Sequence, residues 1–446
     1  MSEEEQPELE SIPLDSLPPL TFIASGDTAD LREANLQAVI PSPGYAHAVL
    51  MIADAITKRA DLVLMDFTQA HCSVRYQVDG IWYNMPHLTR TIGDYMLASI
   101  KQLAGLDYRE RRQRQVGKFT AEYLKKKHKC ELTSQGVPTG ERVALTIDRD
   151  RPPTENLEDV GMRPGMRTQL LEIMNDTGGL VLFSALPGDG LSTTWKAALQ
   201  STDRFMRDFV VIEEKSRCES EIINVESVTF DASAGETLAA TLKSVLLREP
   251  NVVAMIDIPD ADALNLLVDL SNKRDLGTVG RLHAKHAVEA VVRALMLKPD
   301  VEAFSRALRA VVGQRVIRML CQTCRQPYQP NPNLLAQLGL PASRVPVLYR
   351  HFAPTHEQMV DKNGNPIELE PCTNCGGPGY FERTGIFELL VVDDRFRQAI
   401  TQPKPTVQSL SQAAAESGHI TLRDEGIIVV ARGDTSLDEL QRVLKK

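Results

Sequence analysis

Long apolar runs are what this 446-residue chain most lacks. Its best stretches, Gly179 to Ala185 and Val252 to Ile258, fall far short of the roughly 20 residues a membrane-spanning helix needs, so no membrane insertion is expected. A basic excess is missing too. Fifty Lys and Arg stand against 59 Asp and Glu, and the net charge of −9 argues against a surface coated for duplex DNA. The opening Met1-Ser2-Glu3-Glu4-Glu5 has neither the basic nor the apolar segment of a secretory signal, and a cytoplasmic location is expected. The seven cysteines are an odd number, and four of them form two C-x-x-C pairs, which points to metal or redox chemistry rather than a disulfide framework.

What is present is the mix of an ordinary folded protein: 43% hydrophobic and 24% charged residues, enough chain for two or three domains. Residues 1–45 read as an acidic flexible tail and linker, since residues 1–19 hold six acidic residues, four prolines and no basic residue. From Ala46 an apolar helical pattern leads into strands at 61–67 and 73–78 and a hairpin turn at Asp79-Gly80. A helical stretch, a charged stretch and a strand near 142–147 follow, together a small α+β domain over 46–148. The prolines and charges of 149–156 mark a linker. Over 157–446 the buried strand 179–185 and strand candidates at 209–212 and 252–258 alternate with helical segments, the pattern of βαβ units around a parallel sheet.

The turn after the strand 179–185 reads Ala185-Leu186-Pro187-Gly188-Asp189-Gly190-Leu191-Ser192-Thr193-Thr194. A strand, a turn and a helix bring backbone N–H groups and a helix N-terminus onto one point, where a phosphate sits. Laid on G-x-x-x-x-G-K-[ST], Gly190 is the last glycine and Ser192 the hydroxyl for Mg²⁺, but Leu191 stands at the lysine. The missing contact to the β/γ-phosphates is worth about 1.5–3 kcal/mol. Asp189 adds negative charge beside the loop, and Lys196 lies five residues further along the helix, where it faces elsewhere.

Further motifs carry a family likeness. They are Arg75-Tyr76 with Val78-Asp79-Gly80, Glu110-Arg111-Arg112, Gly140-Glu141-Arg142-Val143, Leu247-Arg248-Glu249-Pro250, Leu282-His283 and Gly313-Gln314-Arg315-Val316. The strongest block is Cys372-x-x-Cys375 followed by Gly379-Tyr380 and Arg383-Thr384-Gly385-Ile386-Phe387-Glu388-Leu389. From Ala46 onward the chain resembles the secretion ATPases that power type II secretion and type IV pilus assembly. The resemblance implies an α/β protein with a PAS-like α+β N-terminal domain, a RecA-like P-loop NTPase domain and a zinc-binding subdomain at about 318–390.

It also implies a homo- or hetero-hexameric ring at the cytoplasmic face of the inner membrane, held there by membrane components of the machine. The nucleotide would meet Gly188, Asp189, Gly190, Leu191, Ser192 and Thr193, with Arg111 and Arg112 approaching from the N-terminal domain. The family's acidic box falls on Glu213-Glu214, its Walker B acid on Asp257 and its histidine box on His283; Glu214, Asp257 and His283 are the catalytic candidates. ATP and Mg²⁺ are the implied cofactors. The departures all lie in the chemistry: Leu191 for lysine, Glu214 for aspartate, Asp257 for glutamate, Pro259 for arginine. The expectation is therefore a family member with weak or no ATP turnover, the alternative being an active hexameric ATPase with a non-standard loop.

Cys321, Cys324, Cys372 and Cys375 supply the four soft ligands of a structural tetrahedral Zn²⁺, with a thiol redox pair as the competing reading. The histidines between the pairs, His351 and His356, are expected to stay outside the ligand set. Residues 101–130 hold ten Lys and Arg against three acidic residues. Beside the nucleotide role of Arg111 and Arg112, this stretch reads equally as a solvated face for an acidic partner or neighbouring subunit; too few aromatic residues interleave to stack nucleic-acid bases.

Overall fold

The computed structural model describes residues 12–149, 154–176, 178–219, 221–274, 276–341, 343–354 and 370–445. The chain divides into two units, residues 1–152 with 370–377, and residues 153–369 with 378–446.

The first unit carries β1 (Leu20–Ile23), α1 (Ala29–Val39), α2 (Tyr45–Thr57), β2 (Leu62–Phe67), β3 (His71–Val78), β4 (Ile81–Asn84), β5 (Leu88–Thr89), α3 (Arg90–Leu103), β6 (Gln115–Tyr123), β7 (Lys126–Val137) and β8 (Gly140–Ile147). Among the described residues its strands form one sheet in the order β1-β6-β7-β8-β2-β3-β4, with β5 beside β3. Every second residue of β2 and β3 is buried, as a strand of period two dictates, so Val63, Met65 and Phe67 meet Ile52 of α2 and Met96 and Ile100 of α3. Asp79 and Gly80 both take positive φ, 48° and 81°, the backbone a two-residue hairpin requires.

Two expectations need correction. Residues 20–45 are not all tail and linker: β1 pairs with β6 and α1 follows, because Leu20 and Phe22 have a place to bury, Phe22 packing edge-on against Tyr45 and Phe119. The acidic residues 1–11 lie outside the described residues. The charged stretch after α3 is largely sheet: β6 and β7 pair over their length, with Lys126, Lys127 and Lys129 exposed and His128, Cys130 and Leu132 buried in alternation. Of the expected linker, residues 150–153 lie outside the described residues, while Arg149 is fixed to Asp61 (2.7 Å) and Asp79 (3.0 Å).

The second unit begins with α4 (Pro164–Asn175), β9 (Gly179–Ala185), α5 (Leu191–Gln200), β10 (Phe209–Glu214), β11 (Glu226–Phe230), α6 (Leu238–Leu246), β12 (Val252–Met255), α7 (Ala261–Arg274), β13 (Gly277–His283), α8 (Ala287–Met296) and α9 (Val301–Ala307). It continues with β14 (Leu308–Leu320), β15 (Gln326–Tyr328), α10 (Pro332–Gln337), β16 (Leu348–Arg350), β17 (Tyr380–Val391), α11 (Asp394–Ile400), α12 (Val407–Glu416), α13 (Leu422–Ala431) and α14 (Leu437–Leu444). Among the described residues the main sheet runs β11-β10-β12-β13-β9-β14-β17, parallel except for the β14–β17 pair. Leu180 and Leu182 of β9 enter one core while Val181, Phe183 and Ala185 enter another, so both faces of the sheet are covered. The strand expected over 252–258 ends at Met255, and β11, β13, β14 and β17 were not anticipated.

Candidate nucleotide site and cysteine cluster

Parallel strands end at one edge of a sheet, and ligands of open α/β folds bind there. Here β9, β10, β12 and β13 deliver Ala185, Glu213 with Glu214, Asp257 and His283 to that edge, and β14, parallel to β9, brings Gln314 opposite Ala185. The turn from β9 to α5 is shaped by Gly188 (φ 85°) and Gly190 (φ 70°), and a Cβ on Gly188 would meet nothing within 4 Å, which leaves open space above the loop. Ser192 and Thr193 are exposed on the first turn of α5, whose N-terminus favours an anion.

The side chains depart from that cradle. Leu191 is only 7% exposed and sits in the apolar core with Trp195, Phe183 and Val181. Asp189, expected to repel a triphosphate, is held by Arg315: Nη1 donates to Oδ2 at 2.9 Å, while Gln314 Nε2 donates to the Asp189 carbonyl at 2.6 Å. The Ser192 hydroxyl donates to Glu219 Oε1 (2.6 Å) and accepts from Arg281 Nη1 (3.3 Å). Arg281 also donates to Glu219 (2.7 Å), lies 3.9 Å from Asp257 Oδ1 and packs on the Trp195 ring. Asp257 is paired on its other oxygen with Arg217 (3.3 Å).

Of the remaining candidates, His283 is exposed with Nδ1 3.1 Å from the Ala185 carbonyl, at the base of the loop. Glu214 accepts from Ser216 (2.6 Å), and the buried Glu213 accepts from Ser227 (2.8 Å) and from the Glu219 amide (3.2 Å). Arg111 and Arg112 lie in the first unit, lining a cavity of about 450 Å³ with Arg90 and Glu141; Arg111 Nη1 is 3.2 Å from Asp94. Sequence reasoning missed Glu219, Arg281 and the role of Arg315. Only once Gly277–His283 is known as a buried strand does Arg281 demand a partner.

The backbone of the turn therefore leaves room for an anion, whereas Ser192 and Asp257, the two groups expected to meet Mg²⁺, fit that ion poorly, because Arg281 hydrogen-bonds the Ser192 hydroxyl and stands 3.9 Å from the Asp257 carboxylate.

The second site fits its metal well. The Sγ atoms of Cys321, Cys324, Cys372 and Cys375 all lie within 4.8 Å of one another, and a tetrahedron of Zn–S bonds of about 2.3 Å needs sulfurs roughly 3.8 Å apart. Each pair closes a tight knuckle, through Arg325 N to Cys321 O (2.9 Å) and Gly376 N to Cys372 O (2.8 Å). Four thiolates leave no position for water, so a bound zinc would cross-link the chain. His351 stacks instead on Tyr380, and His356 lies outside the described residues.

Residues 45–442 match the family of the Type II/IV secretion system protein. The chain belongs to that family. Among its relatives, Type II secretion system protein E of Klebsiella pneumoniae is 29% identical over 397 residues, 89% of this chain and 75% of that one. Type IV pilus assembly ATPase PilB of Thermus thermophilus is 26% identical over 394 residues, 87% of this chain and 42% of its own. Among solved structures, the ATPase DotB of Legionella pneumophila shares the fold with a TM-score of 0.55 at 12% identity, covering 88% of this chain and 93% of that one. Among the described residues of this family member, no helix is long and apolar enough to cross a membrane.

Proposed function

We propose that this chain is a cytoplasmic subunit of a type II secretion or type IV pilus assembly machine, at the inner-membrane face, with weak or no ATP hydrolysis of its own. The observation that carries this reading is Leu191: it stands where the P-loop places its lysine, and its side chain is spent in the apolar core rather than over the loop. Losing a charge-assisted phosphate contact costs about 1.5–3 kcal/mol, roughly 10- to 100-fold in affinity or rate. The relatives that share the family carry the secretion and pilus names, which supports the choice of machine.

In this reading the first unit is a PAS-like module whose Arg111 and Arg112 approach the nucleotide site of a homo- or hetero-hexameric ring. Residues 157–446 form the RecA-like domain, with a structural zinc in the subdomain at about 318–390. Gly188 to Thr193 are the remnant of the phosphate cradle, and Glu214, Asp257 and His283 the remnant of its chemistry. Membrane components of the machine supply the anchorage.

The test is phosphate release from ATP with Mg²⁺ by the full chain beside Asp257→Asn. Release at background in both proteins is the expected result. Saturable turnover that Asp257→Asn abolishes would establish an active ATPase with a non-standard loop.

A further inference from the structure

Arg281 is 6% exposed, and its Nε and Nη1 edges are hydrogen-bonded. Nη1 donates to Glu219 Oε1 and Ser192 Oγ, Nη2 faces Asp257 Oδ1, Nε donates to the Ile256 carbonyl, and the face packs on Trp195 with 5.3 Å from Cζ to the ring centre. Ser192 and Asp257 are the two groups that P-loop proteins offer to their divalent cation. The guanidinium stands between them.

We infer that Arg281 is the resident cation of this site: it takes the place of the divalent ion, hydrogen-bonds Ser192 and Glu219, sets its positive charge beside Asp257, and keeps Mg²⁺ out. The inference rests on reading the loop as the family's nucleotide site, and it adds a second block independent of Leu191. A guanidinium is covalently part of the chain, so unlike a bound ion it cannot dissociate from the site. Magnesium demands oxygen ligands at about 2.0–2.1 Å in near-octahedral order, which two oxygens already turned toward a guanidinium do not offer. Stepping aside would strip Arg281 of its carbonyl and carboxylate partners in a buried setting, a costly move for a charge.

Removal distinguishes a purely structural arginine from a resident cation. Loss of a structural residue lowers stability alone, whereas loss of a resident cation leaves the oxygens that surrounded it, from Glu219, Ser192 and the Asp257 Oδ1 that Arg217 does not hold, as candidate ligands for a divalent ion.

The test uses Mn²⁺ as a paramagnetic probe, titrated into the zinc-loaded full chain and followed by the EPR signal of the free ion. Wild type is expected to show no site that Asp257→Asn removes. Arg281→Ser is expected to gain about one Mn²⁺ per chain, at least roughly ten-fold tighter than any wild-type binding, and Arg281→Ser with Asp257→Asn to lose it again. Arg281→Gln, which keeps length and hydrogen bonding without the charge, serves if the serine variant fails to fold. A wild-type Mn²⁺ site abolished by Asp257→Asn overturns the inference, and so does a folded Arg281 variant that takes up no ion. Either result leaves the ATP-turnover reading to stand or fall on its own assay, where turnover is measured directly.

Discussion

Asp189 of the Gly-rich loop and Arg315 of β14 are 126 residues apart in sequence and 2.9 Å apart in space, with the arginine side chain only 3% exposed. The pair fixes the loop to the sheet beside it and balances the charge of the Asp189 carboxylate. Removing one partner of such a pair strands the other, so Arg315→Met is expected to lower the unfolding free energy by about 2–3 kcal/mol. The double variant Asp189→Asn with Arg315→Met should recover at least half of that loss. A double-mutant cycle from urea melts checks this, and additive losses would show that the two groups do not act together.

Thiol reactivity separates the cysteines. Burial pushes the Cys72 and Cys130 thiols up to about 12, while Cys218 is exposed in the turn after β10. With zinc holding the two pairs, Ellman's reagent near pH 8 should find one fast thiol per chain, and Cys218→Ser should abolish that phase. A second fast thiol in the variant would contradict the burial.

How much of the molecule was written in the sequence depends on which interactions are local. The helix at 45–57, the hairpin at Asp79-Gly80 and the strand at 179–185 announce themselves by period and turn chemistry over a few residues, and the structure has them. The loop was legible for the same reason, as were the two C-x-x-C pairs that the fold brings together. β14 was not, because a 13-residue strand with Arg315 and Arg318 among its apolar residues breaks the pattern of a buried strand; those charges are tolerated only because Asp189 and Glu439 meet them from distant segments. Arg281 was missed likewise: its partners come from the loop, from the turn after β10 and from the end of β12, and no spacing rule connects them.

Glu439 of α14 predicts a pH dependence. Burial opposes its charge, but hydrogen bonds from Arg442 and Arg318 outweigh that and hold its carboxyl at about 2. A carboxyl held below its unfolded value contributes stability that is complete above about pH 4–5 and is lost as pH falls through the folded value. Glu439→Gln is therefore expected to cost about 3 kcal/mol near neutral pH, with the gap to wild type closing toward about pH 2. Chemical denaturation across this range reads it, and a gap independent of pH would sink the assignment.

Zinc removal tests the cysteine cluster and decides between its two readings. Cys321 comes directly after β14 and Cys375 lies just ahead of β17, so the metal would pin the ends of the longest strand pair in the second unit. Structural zinc in finger peptides contributes about 10–16 kcal/mol, so its loss should melt this subdomain ahead of the rest of the chain. The expected results are one zinc per chain by elemental analysis, a lowered first melting transition on chelation, and loss of metal in Cys321→Ser or Cys375→Ser. A redox pair predicts a different count: denatured protein purified under air would then show fewer than seven thiols and no zinc, whereas a zinc site protects all four sulfurs as thiolates. Zinc-free protein with two disulfides would transfer the cluster from architecture to electron chemistry.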